Sequence, residues 1–306
     1  MGCDSRPNQG IMTDKRRGLI YVFTAVFLYA TLGVGLKTAV SGLDSFFVAV
    51  YVGFFSTVFL LIYLIIIGKI KKLIPEFKKH STFFILTGII GLGIQQLLYL
   101  KGFQLLEASQ VVIIFYLYPL LMVMLSAFFF KERVSLRSFF FMIFGFVGVY
   151  ILISKGTLLK FDLNLGTVVT LLASLSWALF SVLIKHKKFD VDIGMFLFNL
   201  FGILFLAGII PFWGFSFEIN TTEILIMIYL GIFPTAIAFI FWNRALRRIG
   251  TSICSNIALL VPLLSIALIF LILNEKIVAC QLTGLILIIV SVLLNLNYGD
   301  TGQVKK

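Results

Sequence analysis

Apolar runs of about twenty residues, separated by short polar and basic stretches, recur along all 306 residues of the chain. Ten are long enough to cross about 30 Å of hydrocarbon at about 1.5 Å per residue. They cover 19–36, 45–67, 82–100, 108–130, 138–154, 165–184, 193–213, 224–243, 251–273 and 278–297. Backbone in lipid must satisfy its own hydrogen bonds, so each run predicts a helix. The expected fold class is an all-α integral membrane protein with ten transmembrane helices.

The pattern is written twice. The stretch Tyr99–Arg133 returns without a gap, shifted by 143 residues, as Trp242–Lys276. Matches of Leu and Ile carry little weight in apolar sequence. Ser109 with Ser252, Pro119 with Pro262 (each followed by Leu-Leu), and Glu132 with Glu275 carry more. Gly88 matches Gly231 at the same offset, while Gly18, Ala25, Ala30 and Lys37 match Gly166, Ala173, Ala178 and Lys185 at 148. The division that follows is a leader over 1–17, repeats over 18–154 and 166–297, a connecting loop over 155–165 and a tail over 298–306. Five crossings per repeat is an odd number, so the two five-helix repeats enter the membrane from opposite faces and are inverted.

Composition and charge refine this. The chain is 60% hydrophobic and 12% charged, with mean hydropathy +1.10, which no soluble core accommodates. Its 25 Lys and Arg against 13 Asp and Glu would suit nucleic acid, but the cations lie between apolar runs, where they report topology. Only five of the 25 (Lys37, Lys101, Lys155, Lys160 and Lys276) fall on one side of the alternating loops. Both termini are then cytoplasmic, in a multi-pass protein of the cell membrane. Lipids are its neighbours, nucleic acid is no partner, and a monomer or weak homodimer is expected.

The opening MGCDSRPNQGIM has no apolar segment and reads as a disordered leader; Met12 is an alternative start. Arg6 stands where the myristoylation pattern wants Ser or Thr. Cys3, Cys254 and Cys280 are too far apart to hold a metal and read as free thiols. No metal or cofactor is expected.

No Asp, Glu, Lys or Arg lies in the middle of a run, which argues against a tightly bound transported proton and favours a zwitterionic or neutral solute. Polar and aromatic residues at membrane depth are the remaining candidates for substrate contact: Gln95, Tyr99, Tyr116, Trp177, Asn256 and Tyr29. Gln95 and Tyr99 are four apart and share a helix face. Tyr29 and Trp177 are repeat partners at 148, which would set them across a pseudo-two-fold axis. For each aromatic, interfacial anchoring or helix packing is the competing role.

Pro119, Pro262 and Pro234 each remove an amide bond, freeing the carbonyls of Phe115, Ala258 and Leu230. Those carbonyls can meet a substrate, water or a neighbouring helix, and the kinks can serve gating or packing. Glu132 and Glu275 each end a run beside a cation. They suit caps on the first turn of the following helix, with gating as the alternative.

The two halves, the run LGIFPTAIAFIFWNRALRRIG over 230–250, and the Pro-then-Glu pattern closing runs four and nine resemble the EamA family of the drug/metabolite transporter superfamily. The likeness covers 19–297. It implies a secondary transporter that exports amino acids and other small metabolites. A flippase for lipids or lipid-linked solutes is the alternative. An enzyme is disfavoured, since no acid–base or metal-ligating cluster and no nucleotide-binding loop is legible.

Overall fold

The computed structural model describes residues 7–131, 136–153, 164–213, 219–249, 254, 257–258 and 260–298. Among them every regular element is helical. Helices α1 (Pro7–Gly42) and α2 (Ser45–Ile66) are followed by the short α3 (Leu73–Lys79). The third run is α4 (Ser81–Gly88) and α5 (Gln95–Leu105), joined by a π-helical turn over Ile89–Ile94. The fourth is α6 (Ala108–Phe115) and α7 (Tyr118–Phe130), and α8 spans Leu136–Ile153.

The second half repeats this order. It comprises α9 (Leu165–Lys185), α10 (Val191–Trp213), α11 (Thr221–Leu230) and α12 (Ala238–Ile249) joined by a π-helical turn over Gly231–Ile237, α13 (Leu260–Leu273) and α14 (Ala279–Tyr298). The two π-turns occupy matching places in the halves. So do Lys131 and Asn274, 143 apart, which both end a helix with φ near 53°.

Seven helices are long and apolar enough to cross a membrane, among the described residues. Leu260–Leu273 and Ala279–Ser291 are shorter apolar helices in two of the three remaining predicted runs. The leader differs from expectation. Helix α1 begins at Pro7 and runs unbroken into the first apolar run. Asp14 accepts from Arg248 Nε at 3.0 Å, and Gly18 lies against Ile249, so α1 meets α12 from Asp14 onward.

The halves meet as equivalents. Ser56 Oγ donates to Asn199 Oδ1 at 3.0 Å, and these residues are 143 apart. A residue that bonds its own repeat partner lies on a two-fold axis. The flanking contacts are reciprocal, as such an axis requires. A Cβ on Gly88 would stand 2.8 Å from Phe198 O, and one on Gly231 would stand 2.8 Å from Phe55 Cβ and Val52 O. Phe55 and Phe198 are again 143 apart. Gly18 packs on Ile249 and Gly166 on Leu106 in the same exchanged manner. Helix α8 likewise packs on its equivalent, α14. Small residues let backbones approach where lipid offers no hydrophobic drive between helices.

At the end of the bundle poor in cations, the halves are bonded through Glu275. Its carboxylate accepts from Ala108 N at 2.8 Å, and from Ser109 N and Oγ at 3.1 and 3.0 Å. These amides open α6, in the other repeat. The helix after Glu275 has its own partner, because Gln281 Oε1 accepts from Val278 N at 3.1 Å. Gln281 Nε2 also donates to Ser109 Oγ at 3.1 Å. Nearby, Lys37 Nζ donates to the carbonyls of Phe103 and Leu106, at 2.9 and 2.6 Å, closing the C-terminal end of α5.

Two stability experiments follow. Gly88→Ala and Gly231→Ala should each cost about 1–3 kcal/mol by forcing the halves apart, read as a lower unfolding midpoint. Gly208→Ala, with open space around it, should change stability by no more than about 0.5 kcal/mol and serves as control. Glu275→Gln loses the charge and turns donors toward donors. It should cost about 1–3 kcal/mol and speed hydrogen exchange at the Ala108 and Ser109 amides, without weakening solute binding.

Candidate functional site

Run four is two helices, not one kinked helix. Pro119 sits in the first turn of α7, where its missing amide has no intrahelical duty. The chain turns at Tyr116 and Leu117, whose amides bond Val112 O and Ile114 O at 3.1 Å each. The carbonyl of Phe115 accepts from Ser174 Oγ of α9 at 3.0 Å. Reciprocally, Ser265 Oγ of α13 donates to Ala30 O of α1 at 3.0 Å. Pro234 lies inside the second π-turn, and Leu230 O accepts from Thr235 Oγ1 at 2.7 Å. The first π-turn is answered in the same way, with Ser176 Oγ bonding Ile90 O at 2.7 Å. Protein hydroxyls therefore occupy the carbonyls of Phe115 and Leu230. Pro262 is buried in the first turn of the described part of α13.

The break in run four gathers tyrosines. Tyr99 lies 4.3 Å from the Phe115 ring, Phe115 lies 5.6 Å from Tyr118, and Tyr118 lies 5.7 Å from Tyr116. Tyr29 of α1 and Tyr116 pack against one apolar cluster that includes Val22, Val26 and Val261. All four tyrosines are half-buried.

One turn before Tyr99 stands Gln95, only 6% exposed. Among the described residues its amide has no hydrogen-bond partner, although buried amides are almost always paired. A buried amide with no partner among the described residues, one turn from Tyr99 on the same face of α5, can orient a polar solute whose apolar or cationic part rests on the ring.

Other candidates fall elsewhere. Trp177 stacks on Phe180 at 5.2 Å and packs with Phe84 and Phe198, whereas Tyr29 packs with Val22, Ala245 and Val261. The exchange that relates these two positions does not bring their rings together. Asn256 and Glu132 lie outside the described residues. Glu275 is committed to the first turn of α6.

The cation-rich end carries groups that spacing alone left among loop charges. Lys69 Nζ lies 2.8 Å from Asp190 Oδ2 and 2.6 Å from Asp192 Oδ2, tying the end of α2 to the start of α10. Burial disfavours both charged forms. The mutual contacts, with the Ile193 and Asp192 amides on Asp190, outweigh it and hold the Asp190 carboxyl below its ordinary range and the Lys69 ammonium above its own. Arg244 is the larger omission. It lies within the helical crossing Thr221–Ala245, and its Nη2 donates to Tyr63 OH at 3.0 Å. Ile240, Asn243, Arg244 and Arg248 follow the helical period, so their common face was available in the sequence.

Known proteins share this design. An uncharacterized transporter of Clostridium kluyveri is 25% identical over 294 residues, 92% of this chain and 93% of that one. A probable amino-acid metabolite efflux pump of Escherichia coli is 26% identical over 190 residues, 56% of this chain and 62% of its own length. A solved crystal structure, 19% identical, superposes with a TM-score of 0.64 over 90% of this chain and 95% of that one, a likeness of fold. The pattern of the EamA-like transporter family matches twice, over 16–154 and 164–297, and the chain belongs to that family.

Proposed function

We propose that the chain is a secondary transporter that exports small amino-acid-like metabolites across the cell membrane. It crosses ten times as two inverted five-helix repeats, with both termini cytoplasmic, and works by alternating access between the halves. The observation that carries this reading is Gln95, buried with no side-chain partner among the described residues and one helical turn from Tyr99, whose ring leads through Phe115 to Tyr118 and Tyr116. The reciprocal contacts across the Ser56–Asn199 axis support rocking of one half on the other. The efflux-pump relative favours amino-acid metabolites as the first solutes to try.

Inside such a site the residues have separate tasks. The tyrosine rings hold the apolar or cationic part of the solute, and the Gln95 amide fixes its orientation. Ser174 occupies the Phe115 carbonyl freed at the break in run four, so that it does not trap the solute.

The decisive experiment is counterflow of a labelled metabolite panel into proteoliposomes of the purified protein. Saturable exchange of at least one amino-acid-like metabolite is expected, and absence of exchange across the whole panel would sink the reading. Gln95→Ala should weaken binding of the exchanged solute by about 1–3 kcal/mol, with expression and helical content unchanged. Topology has its own test with an impermeant thiol reagent applied to whole cells. Single cysteines at Ser41, Thr157 and Thr221 should react, and those at Lys72, Lys187 and Arg247 should not.

A further inference from the structure

A concavity lies at the cation-rich end, and Gln95 is not among the residues that line it. Its volume is about 360 Å³, and Tyr63, Asp192, Ile240, Asn243, Arg244 and Arg248 line it. The walls carry opposite charges. On one side Asp192 gives Oδ2 to Lys69 at 2.6 Å, while Oδ1 receives only the Tyr63 hydroxyl at a long 3.4 Å. On the other side stands Arg244, half-buried, with its ring partner Tyr63 at 6.0 Å.

A guanidinium offers five N–H donors. The one side-chain partner of Arg244 among the described residues is Tyr63 OH, and none of their carboxylates lies within 4.0 Å of it. Arg248, by contrast, is spent on Asp14 and on the Tyr21 ring, 5.1 Å away. Asn243 turns its amide back to Phe239 O at 2.9 Å, leaving its oxygen free to accept. The cavity is therefore a polarised slot. A planar donor fork is open on one wall and a carboxylate oxygen on the other, with the Tyr63 hydroxyl between them.

We propose that this slot is a second binding site, which takes a molecule carrying an ammonium and an oxyanion. Arg244 receives the oxyanion, and Asp192 Oδ1 with Asn243 Oδ1 receives the ammonium. The two charges are favoured together, because a lone ammonium would face Arg244, and a lone oxyanion would face Asp192, which shares Lys69 with Asp190. Two sources present that pair, a free zwitterionic solute on its way to the Gln95 site and the headgroup of a phosphatidylethanolamine lipid. Only the first source rests on the transport reading above. The repeat equivalent of Arg244 is Lys101, and it donates to Gln104 Oε1 at 2.7 Å.

The test reads binding, not transport. Thermal unfolding of the purified protein in phosphatidylcholine nanodiscs is followed against L-leucine, L-leucinamide and 4-methylpentanoate. Leucine should stabilise with an apparent Kd at least about tenfold lower than either half-charged analogue. Arg244→Gln should erase the preference of leucine over leucinamide, and Arg244→Lys, which keeps the charge and loses the fork, should retain part of it. Gln95→Ala should leave that preference intact. If leucine has no advantage but phosphatidylethanolamine nanodiscs stabilise the wild type and not Arg244→Gln, the headgroup is the occupant and the site stands.

The proposal is overturned if neither zwitterion depends on Arg244, or if the leucine preference disappears with Gln95→Ala and survives in Arg244→Gln. Loss of counterflow with leucine binding intact would defeat the transport reading alone. Counterflow with no Arg244 dependence in either binding arm would defeat the slot alone.

Discussion

The hydrogen bond between Ser56 and Asn199 sets the frame on which the rest depends. Because the partners are repeat equivalents, it pins the two-fold relation of the halves at one point. The close helix contacts that flank it come in exchanged pairs, with Gly88 on Phe198 answered by Gly231 on Phe55. Both Ser56 and Asn199 are buried, and Asn199 Nδ2 is anchored to Met195 O at 2.9 Å. A polar bond in a membrane core has no water to replace it, so it specifies register as well as contributing energy. The glycines beside it allow the close approach that brings the two side chains together.

Around this axis the fold disposes of the polar backbone groups that its irregularities free. A π-turn in each half and a break in run four each leave a carbonyl short of its usual partner. Serine or threonine hydroxyls answer those at Ile90, Phe115 and Leu230. That leaves Gln95 conspicuous, since its buried side-chain amide has no hydrogen-bond partner among the described residues. A buried amide without a partner costs about 1–3 kcal/mol.

Much of this was legible in the sequence. The 143-residue repeat, Gly88 with Gly231, and Pro119 with its freed carbonyl at Phe115 each correspond to a located structural feature. Other features required the third dimension. Glu275 was expected to cap the helix that follows it in the chain, but its acceptor oxygens reach α6, 167 residues away. Helix-terminal amides look alike in sequence, and only the interlocking of the halves decides which pair a carboxylate meets. Trp177 and Tyr29 share a repeat position and not a neighbourhood, because different side chains fill the two packing clusters. Arg244 was counted among loop cations, since a hydropathy run stops at the first charge while a helix does not.

Symmetry also has a consequence for energetics. If the halves were identical, the two states of a rocking pair would be equal in energy, with each contact exchanged for its equivalent. This chain is not identical at its two ends. Gln281 binds Ser109 and answers the amide of Val278 at the cation-poor end. The triad of Lys69, Asp190 and Asp192 fastens the cation-rich end. These are chemically different fasteners, and both are formed in this structure: hydrogen bonds at a helix N-terminus at one end and partly buried ion pairs at the other. Exposed ion pairs contribute about 0–1 kcal/mol each, whereas a charged carboxylate on buried amides contributes about 1.5–3 kcal/mol per bond. The stronger fastener is the Glu275 one.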